Sequence, residues 1–375
     1  MAANRIYWAI TALSTAPEST GSAGPVGEKA ITAANFVPGV QSVGITTTFN
    51  LEQVFELGQL ELYQDVEEVP DIEVSVERVI DEHILLYTRC VDPATPAGNK
   101  TISAIQNNKV DVFMNVHPDS ADNAGDTAPD AIVHCSGMYL SSVSFNMATD
   151  GNLTESITLV GNHKRWRQGK AHETGTNTHW SSKTPFVAAD VPRGMPTATN
   201  IDAKATGAVV KRRQNVHITP PASAGGSDAK VTSASVSCDF GREQINVLGA
   251  RLPYHRYVSY PVEVTCDLEV VITDINDQGI TALPESDNLS EETLKFIIKD
   301  DAGVSIATID LGSKNKLTSV TWGGGDTGGG NATFSYSYRN FNKMDVQSHK
   351  TTYSIVECGD DANKNVTDYT TSISC

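Results

Sequence analysis

FNLEQVFELG, residues 49–58, is answered later in the chain by FGREQINVLG, residues 240–249. Phe49 matches Phe240, Glu52 matches Glu243, Gln53 matches Gln244, Leu57 matches Leu248 and Gly58 matches Gly249, each pair 191 positions apart. Val54 falls on Ile245, and the same spacing carries on to Tyr63 with Tyr254 and Pro70 with Pro261. A phrase kept in register over so many matches points to an internal duplication, and a duplication sets the whole architecture.

The match extends outward. With one residue deleted, IEVSVE (72–77) lies on VEVTCD (262–267) at a spacing of 190. IVHCSGMYLSSVSF (132–145) lies on IDLGSKNKLTSVTW (309–322) at 177, and NLTESITL (152–159) on NATFSYSY (331–338) at 179. Four blocks in one order predict two copies of one domain, residues 1–167 and 208–375. Residues 168–207 between them are polar and carry Gly, Pro, Ser and Thr throughout. That stretch reads as a linker or surface arm, too long for an ordinary connection inside a compact fold.

The repeated blocks alternate. In IEVSVE, Ile72, Val74 and Val76 share one face and Glu73, Ser75 and Glu77 the other; in VEVTCD, Val262, Val264 and Cys266 oppose Glu263, Thr265 and Asp267. Period two is the signature of a half-buried strand. LSSVSF, LTSVTW, ESITLVG and FSYSYRN alternate as well and are rich in β-branched and aromatic residues. TDGN (149–152) and GGGDTGGGN (323–331) supply turns between strands. The expected fold is mainly β: two tandem copies of an antiparallel β-sandwich or open-barrel domain with little helix. One helix candidate is SEETLKFI, Ser290–Ile297, with Ser290, Glu291 and Glu292 at its start. It aligns with KVDVFMNV (109–116), which alternates, so LKFII as strand is the competing reading.

The 375 residues carry a net charge of −17, with 39% hydrophobic and 19% charged residues. This is a globular composition. No apolar run reaches the ~18–20 residues that span a bilayer. The N-terminus lacks the charged-then-apolar build of a signal peptide, so folding in a cytosol and no membrane contact are expected. The charge disfavours a DNA-binding protein with a basic footprint, but suits a surface past which nucleic acid slides without sticking. The six cysteines, Cys90, Cys135, Cys238, Cys266, Cys358 and Cys375, form no C-x-x-C pair, and buried free thiols are expected.

Several stretches imitate chemical motifs. GGGDTGGG has no Lys to reach a phosphate, and the first copy has NMATDG (146–151) between the corresponding strands, so it reads as a hairpin turn. DINDQGITALPE (274–285) mimics a calcium loop, but Gln278 and Pro284 are poorly suited and a strand precedes it. DSADNAGDTAPD (119–130) offers oxygens at no defined spacing. HKRWRQGKAHETGTNTHW (163–180) fits no metal pattern, yet forms a basic patch suited to an acidic neighbour, including another copy of the chain. G-x-S-x-G, H-E-x-x-H and G-x-G-x-x-G are absent. No catalytic residue, metal site or cofactor is expected, and the chain does not read as an enzyme. A glycosidase needs one convergent carboxylate pair, whereas here carboxylates recur in both halves.

GVQSVGITTTFNLEQVFELGQLELYQDVEEVPDIEVSVERVID (39–81) and SVSCDFGREQINVLGARLPYHRYVSYPVEVTCDLEVV (235–271) resemble the major tail tube proteins of tailed bacteriophages, of the tandem-domain type. The resemblance covers both copies but not residues 168–207. It implies β-sandwich domains whose strands join in one inner barrel, with rings stacking into a tube. Six domains per ring come from three chains, and the lumen is acidic. It also implies a place in the virion tail, assembled in the bacterial host cytoplasm, with the chain itself as chief partner. Tail terminator, baseplate and tape-measure proteins are further partners, as is tail sheath where the tail contracts. Genomic DNA passes non-specifically through the lumen. A baseplate or receptor-binding tandem module is the alternative.

On this reading Glu73, Glu77, Glu263 and Asp267 are lumen-facing candidates, against the plainer reading of a solvent-facing sheet. Glu52, Gln53, Glu243, Gln244, Tyr63, Tyr254, Arg165 and Arg167 are candidates for ring and stacking contacts. The copies also differ. LELYQDVEEVPD (60–71) is acidic where the second copy has RLPYHRYVSYP (251–261), so the two versions suit pairing between neighbouring domains.

Overall fold

A computed structural model describes residues 11–17, 35–93, 95–105, 107–116, 131–168, 178–179, 182–185, 209–226, 229–250, 253–271, 289–323 and 331–349. Its strands in the first half of the chain are β1 (Thr11–Pro17), β2 (Asn35–Phe36), β3 (Val40–Thr48), β4 (Leu51–Phe55), β5 (Leu62–Glu67) and β6 (Asp71–Val79). A short helix α1 (Leu86–Val91) precedes β7 (Gly98–Thr101), β8 (Val110–Val116), β9 (Ala131–Ala148), β10 (Thr154–Gly161) and β11 (His163–Gln168). The pair β12 (Thr178–His179) and β13 (Ser182–Pro185) stands apart. The second half holds β14 (Val216–Ile218), β15 (Lys230–Asp239), β16 (Arg242–Ile245), β17 (His255–Val258), β18 (Glu263–Val271) and β19 (Lys295–Lys299). It ends with β20 (Ser305–Asp310), β21 (Lys316–Gly323), β22 (Thr333–Phe341) and β23 (Asp345–Ser348).

The fold is mostly β, dominated by one largely unbroken antiparallel sheet. Its long path runs β3-β6-β10-β9-β15-β18-β22-β21. The first four strands and the last four follow one plan: β3 matches β15, β6 matches β18, β10 matches β22, and the second half of β9 matches β21. Two pairs of β-bulges occupy matching places. Gln41 is the extra residue in β3 against β6, and Thr232, 191 positions on, is the extra residue in β15 against β18. Ser141 bulges from β9 against β10, and Thr318, 177 positions on, bulges from β21 against β22. A bulge interrupts the ladder at one place only, so it fixes register in a way that alternation cannot.

The bulges also correct one block. Glu77 lies opposite Ser42, and Glu269 opposite Ser233, so β6 maps onto β18 at a spacing of 192 instead of 190. Glu263 is therefore the counterpart of Asp71, and Asp267 of Ser75. A shift of two residues keeps every side chain on its own face, so the hydrophobic pattern is blind to it.

The apolar face of this sheet is covered by a second layer. One part is β2-β1-β8 with the first half of β9, flanked on its other side by β11; the other is β14-β19-β20-β23-β7. A continuous core joins the layers, with Val74, Val76, Val143 and Phe145 in one half and Val236, Cys266, Phe296 and Ile309 in the other. Each fully buried aliphatic or aromatic side chain contributes roughly 1.5–3 kcal/mol of transfer free energy. The sheet does not close among the described residues: β3 pairs only with β6, and β21 only with β22.

The helix candidate fails. Ser290–Ile297 contains no helix; Glu292 makes an isolated bridge to Asn315, and β19 begins at Lys295. Phe296 and Ile298 are buried on alternate positions, and that burial outweighs the helix-start residues before it. The α-helix among the described residues is α1, six residues, all buried. The turn 324–330, both calcium-like loops and most of 168–207 lie outside the described residues, although β21 and β22 do pair across the first of these. Cys358 and Cys375 lie outside them too, while Cys90, Cys135, Cys238 and Cys266 are buried and free.

Candidate interaction surfaces

The outer face of the long sheet is hydroxyl-rich and acidic. It presents Ser142, Ser144, Ser156, Thr158, Ser237 and Thr265 around a shallow depression of about 380 Å³, bordered by Asp239 and Glu263. Glu73, Glu77, Glu263 and Asp267 are all exposed on this face. Hydroxyls tether some of its acids: Ser337 donates to Asp267 Oδ1 at 2.6 Å and Ser233 to Glu269 Oε2 at 3.1 Å. The strand period places these carboxylates together because the opposite positions are taken by the core.

The centre of the sheet is a join between the two halves. β9 pairs antiparallel with β15, Phe145 opposite Val236 and Ser142 opposite Asp239. A second join lies in the other layer, where β7 from the first half extends the sheet beyond β23 from the second. A third comes from the hairpin β16–β17, which lays its stem on the first half. Arg242 donates from Nε to Leu140 O at 2.8 Å and from Nη2 to Ile105 O at 2.9 Å, with its guanidinium 5.2 Å from the centre of the Tyr139 ring. Burial pulls the Arg242 pKa down to about 10, while the Tyr139 and Tyr260 hydroxyls act the other way. Tyr139 Oη and His255 Nδ1 are 3.1 Å apart. Arg256 bonds Asn162 Oδ1 from Nε at 3.2 Å and also pairs with Asp71.

The matching hairpin of the first half, β4–β5, is exposed along its whole length. Its register repeats that of β16–β17 residue for residue: Glu52 opposite Val66 corresponds to Glu243 opposite Tyr257, and Gln53 opposite Asp65 to Gln244 opposite Arg256. Gly58 and Gly249 sit at the two tips with φ of +101° and +84°, a conformation that favours glycine. The repeated phrase is thus the first strand and turn of a projecting hairpin. Glu52, Gln53 and Tyr63 lie on the free hairpin; Glu243, Gln244 and the exposed Tyr254 lie on the docked one. The Glu243 carboxylate accepts a hydrogen bond from the Tyr257 hydroxyl, which holds its pKa below the usual range. Arg165 and Arg167 belong to β11 opposite His134 and Ile132, on a strand whose pairing among the described residues is with β9 alone.

One titratable cluster is enclosed instead of presented. Arg78, fully buried, donates to Asp81 Oδ1 and Ile84 O, each at 2.9 Å. Glu155, also fully buried, accepts from the Leu86 and Tyr87 amides at 2.9 and 2.6 Å and so caps α1; it lies 3.8 Å from Arg78 Nε. Burial pushes the Glu155 pKa up against the pull of Arg78 and the two amides. Burial acts the same way on Asp81, but the His83 hydrogen bond and the Arg78 charge outweigh it and the pKa is lowered. These groups are spent on one another and on backbone, which is a structural use. The second half has Val270 and Phe334 in the places of Arg78 and Glu155. Burial also raises the thiols of Cys135 and Cys238 to about 12, so neither is a nucleophile at neutral pH.

Among the described residues no group of three or more His, Cys, Asp or Glu is placed to hold a metal ion, and no helix is long and apolar enough to cross a membrane. The joins and their open counterparts were invisible to sequence reading. Their signal is the exposure of residues whose repeat partners are buried. No family model matches the chain, and no curated protein matches it in sequence.

Proposed function

We propose that this chain is a self-assembling structural protein of a tailed-phage virion: the building block of the tail tube, three chains to a ring, with rings stacked around a lumen through which DNA is ejected. The observation that carries this reading is the pair of unmatched edges. The chain already makes one antiparallel join between its halves, β9 to β15, and its long sheet ends with β21, the counterpart of β9, and β3, the counterpart of β15, each with an edge that no described strand covers. The join made inside one chain is repeated from β21 of one chain to β3 of the next. Carrying over the register of β9–β15 sets Trp322 opposite Ile45 and Ser319 opposite Thr48. Trp322, 68% exposed, then gains the shelter that its counterpart Phe145, 0% exposed, already has.

Such repetition is heterologous and closes into a ring when the rotation per chain divides the circle. Closure also removes the exposed edges that otherwise template aggregation. With the second layer outside, the hydroxyl-rich acidic face becomes the wall of the bore, and Glu73, Glu77, Glu263 and Asp267 repel passing phosphates. Tape-measure, terminator and baseplate proteins are the partners this role requires, joined by sheath where the tail contracts. Negative-stain microscopy of the purified full chain tests the reading. Threefold rings stacking into tubes of uniform bore are expected; a chain that stays monomeric at high concentration overturns it and favours a baseplate or receptor-binding module.

A further inference from the structure

The docked hairpin and its exposed counterpart carry opposite charge, and so do the surfaces that correspond to one another beneath them. The surface under β16–β17 in the first half is formed by Tyr139, Leu140, Asn162 and Asp71. Their counterparts in the second half are Lys316, Leu317, Phe341 and Glu263. There no described residue covers the surface. Lys314, Lys316, Leu317, Arg339 and Phe341 line an open groove of about 670 Å³, with Glu291 also on its wall. Phe341 is half exposed, and Arg339, beneath it, has its guanidinium 5.8 Å from the ring centre and 3.8 Å from Glu263.

The free hairpin has the opposite character. Residues 49–68 contain six acids and no Lys or Arg, whereas residues 240–259 contain three arginines and one acid. Asp65 stands where the docked hairpin has Arg256, and Leu51 where it has Arg242. Inside the chain a basic hairpin rests on a surface that offers it Asp71. The groove, with three cations, suits an acidic hairpin carrying exposed Leu51 and Phe49 for Phe341 to meet.

We propose that this groove is the seat of the β4–β5 hairpin of a second copy of this chain, with Asp65 and Glu67 set against Lys316 and Arg339. The proposal rests on the ring reading above and adds a partner and a code to it. Reversing the charges between the inner and outer joints gives each hairpin one correct seat, and like charges oppose the wrong one.

Charge reversal in the full chain tests it, read by sedimentation velocity across protein and salt concentration. Asp65→Lys with Glu67→Lys, and separately Lys316→Glu with Arg339→Glu, each raise the concentration needed for assembly by about tenfold or more at low salt. The four changes together return it to within about threefold of wild type. All four positions, Asp65, Glu67, Lys316 and Arg339, are exposed, so the circular dichroism spectrum and melting temperature of each variant stay those of wild type. Variants that assemble like wild type, or a combined variant no better than either pair alone, overturn the hairpin proposal while leaving the ring reading intact. A wild-type chain that never assembles overturns both together.

Discussion

Phe49 and Phe240 begin the same repeated phrase, yet Phe49 is 70% exposed and Phe240 0%. The difference lies in what covers them and not in local structure. Phe240 follows β15 as it joins the first half, its amide bonded to Ser141 O at 2.8 Å, and the hairpin after it lies on Tyr139 and Leu140. Phe49 follows β3, whose outer edge has no partner among the described residues, and its hairpin is exposed. The same contrast separates Phe145 from Trp322. In both pairs the buried residue faces the other half, and its twin has no covering strand or hairpin among the described residues. On the proposed ring this contrast is one interface seen twice, once made and once open.

Breaking the open interface has the largest expected effect. Trp322→Asp places a charge on the face that β3 of a neighbouring chain is proposed to cover, and assembly is lost altogether. The isolated chain keeps its fold, since Trp322 is already largely in water. Electron microscopy and thermal melting of the same preparation check both halves of that statement. A variant that forms normal tubes separates Trp322 from the interface.

Next in size is the paired substitution at the phrase itself. Phe240→Ala empties a fully buried site and costs about 3–5 kcal/mol in urea unfolding. Phe49→Ala changes the stability of the unassembled chain by less than about 0.5 kcal/mol. Equal losses at the two positions mean that β4–β5 is covered within its own chain, and the comparison fails.

The buried charges sharpen the contrast between halves in another way, because the second half fills the same place with Val270 and Phe334. Asp81→Asn leaves Arg78 buried with one fewer carboxylate and costs about 3 kcal/mol at neutral pH. Asp81 has a lowered pKa in the folded chain, so its contribution is present above its ordinary value of 3.8 and drains away as pH falls through the folded value. The gap between wild type and Asp81→Asn therefore closes in acid. Glu155 runs the other way: its raised pKa makes the folded chain the better proton binder, so its contribution falls as pH rises through that range. Denaturant melts from pH 3 to 7 read the two slopes; an Asp81→Asn gap that widens in acid contradicts the assignment.

Much of this was legible beforehand, and what was missed has physical causes. Alternation in IEVSVE and FSYSYRN reveals strands because burying one face of a sheet forces period two. Alternation cannot count ladder rungs, which is why β6 and β18 align two residues away from their best sequence match. Helix α1 gives no local sign either: it is six residues with no side-chain cap of its own, and the carboxylate that caps it, Glu155, is about seventy positions downstream. Glu73, Glu77, Glu263 and Asp267 were readable as a face, whereas the docking of β16–β17 depends on Arg242 meeting backbone carbonyls more than a hundred residues away.

The smallest effect tests whether the two hairpins really are one element in two settings. Arg256, 8% exposed, bonds Asn162 and pairs with Asp71, whose carboxylate keeps substantial contact with water. Partial exposure discounts the ion pair, so Arg256→Ala costs about 1–2 kcal/mol in the isolated chain, most of it from lost hydrogen bonds. Asp65→Ala, at the corresponding rung of β4–β5, costs nothing measurable there, because a charge surrounded by water gives up no partner when removed. In the assembled state the order changes: Asp65 acquires Lys316 and Arg339 as neighbours, and its loss weakens assembly in a salt-dependent way, while Arg256→Ala lowers melting temperature at every salt concentration. Hydrogen exchange at the stem amides reads the same distinction, since assembly protects β4–β5 and leaves β16–β17 as it was. Equal protection of both stems in the dispersed chain removes the asymmetry from which the open interface is inferred.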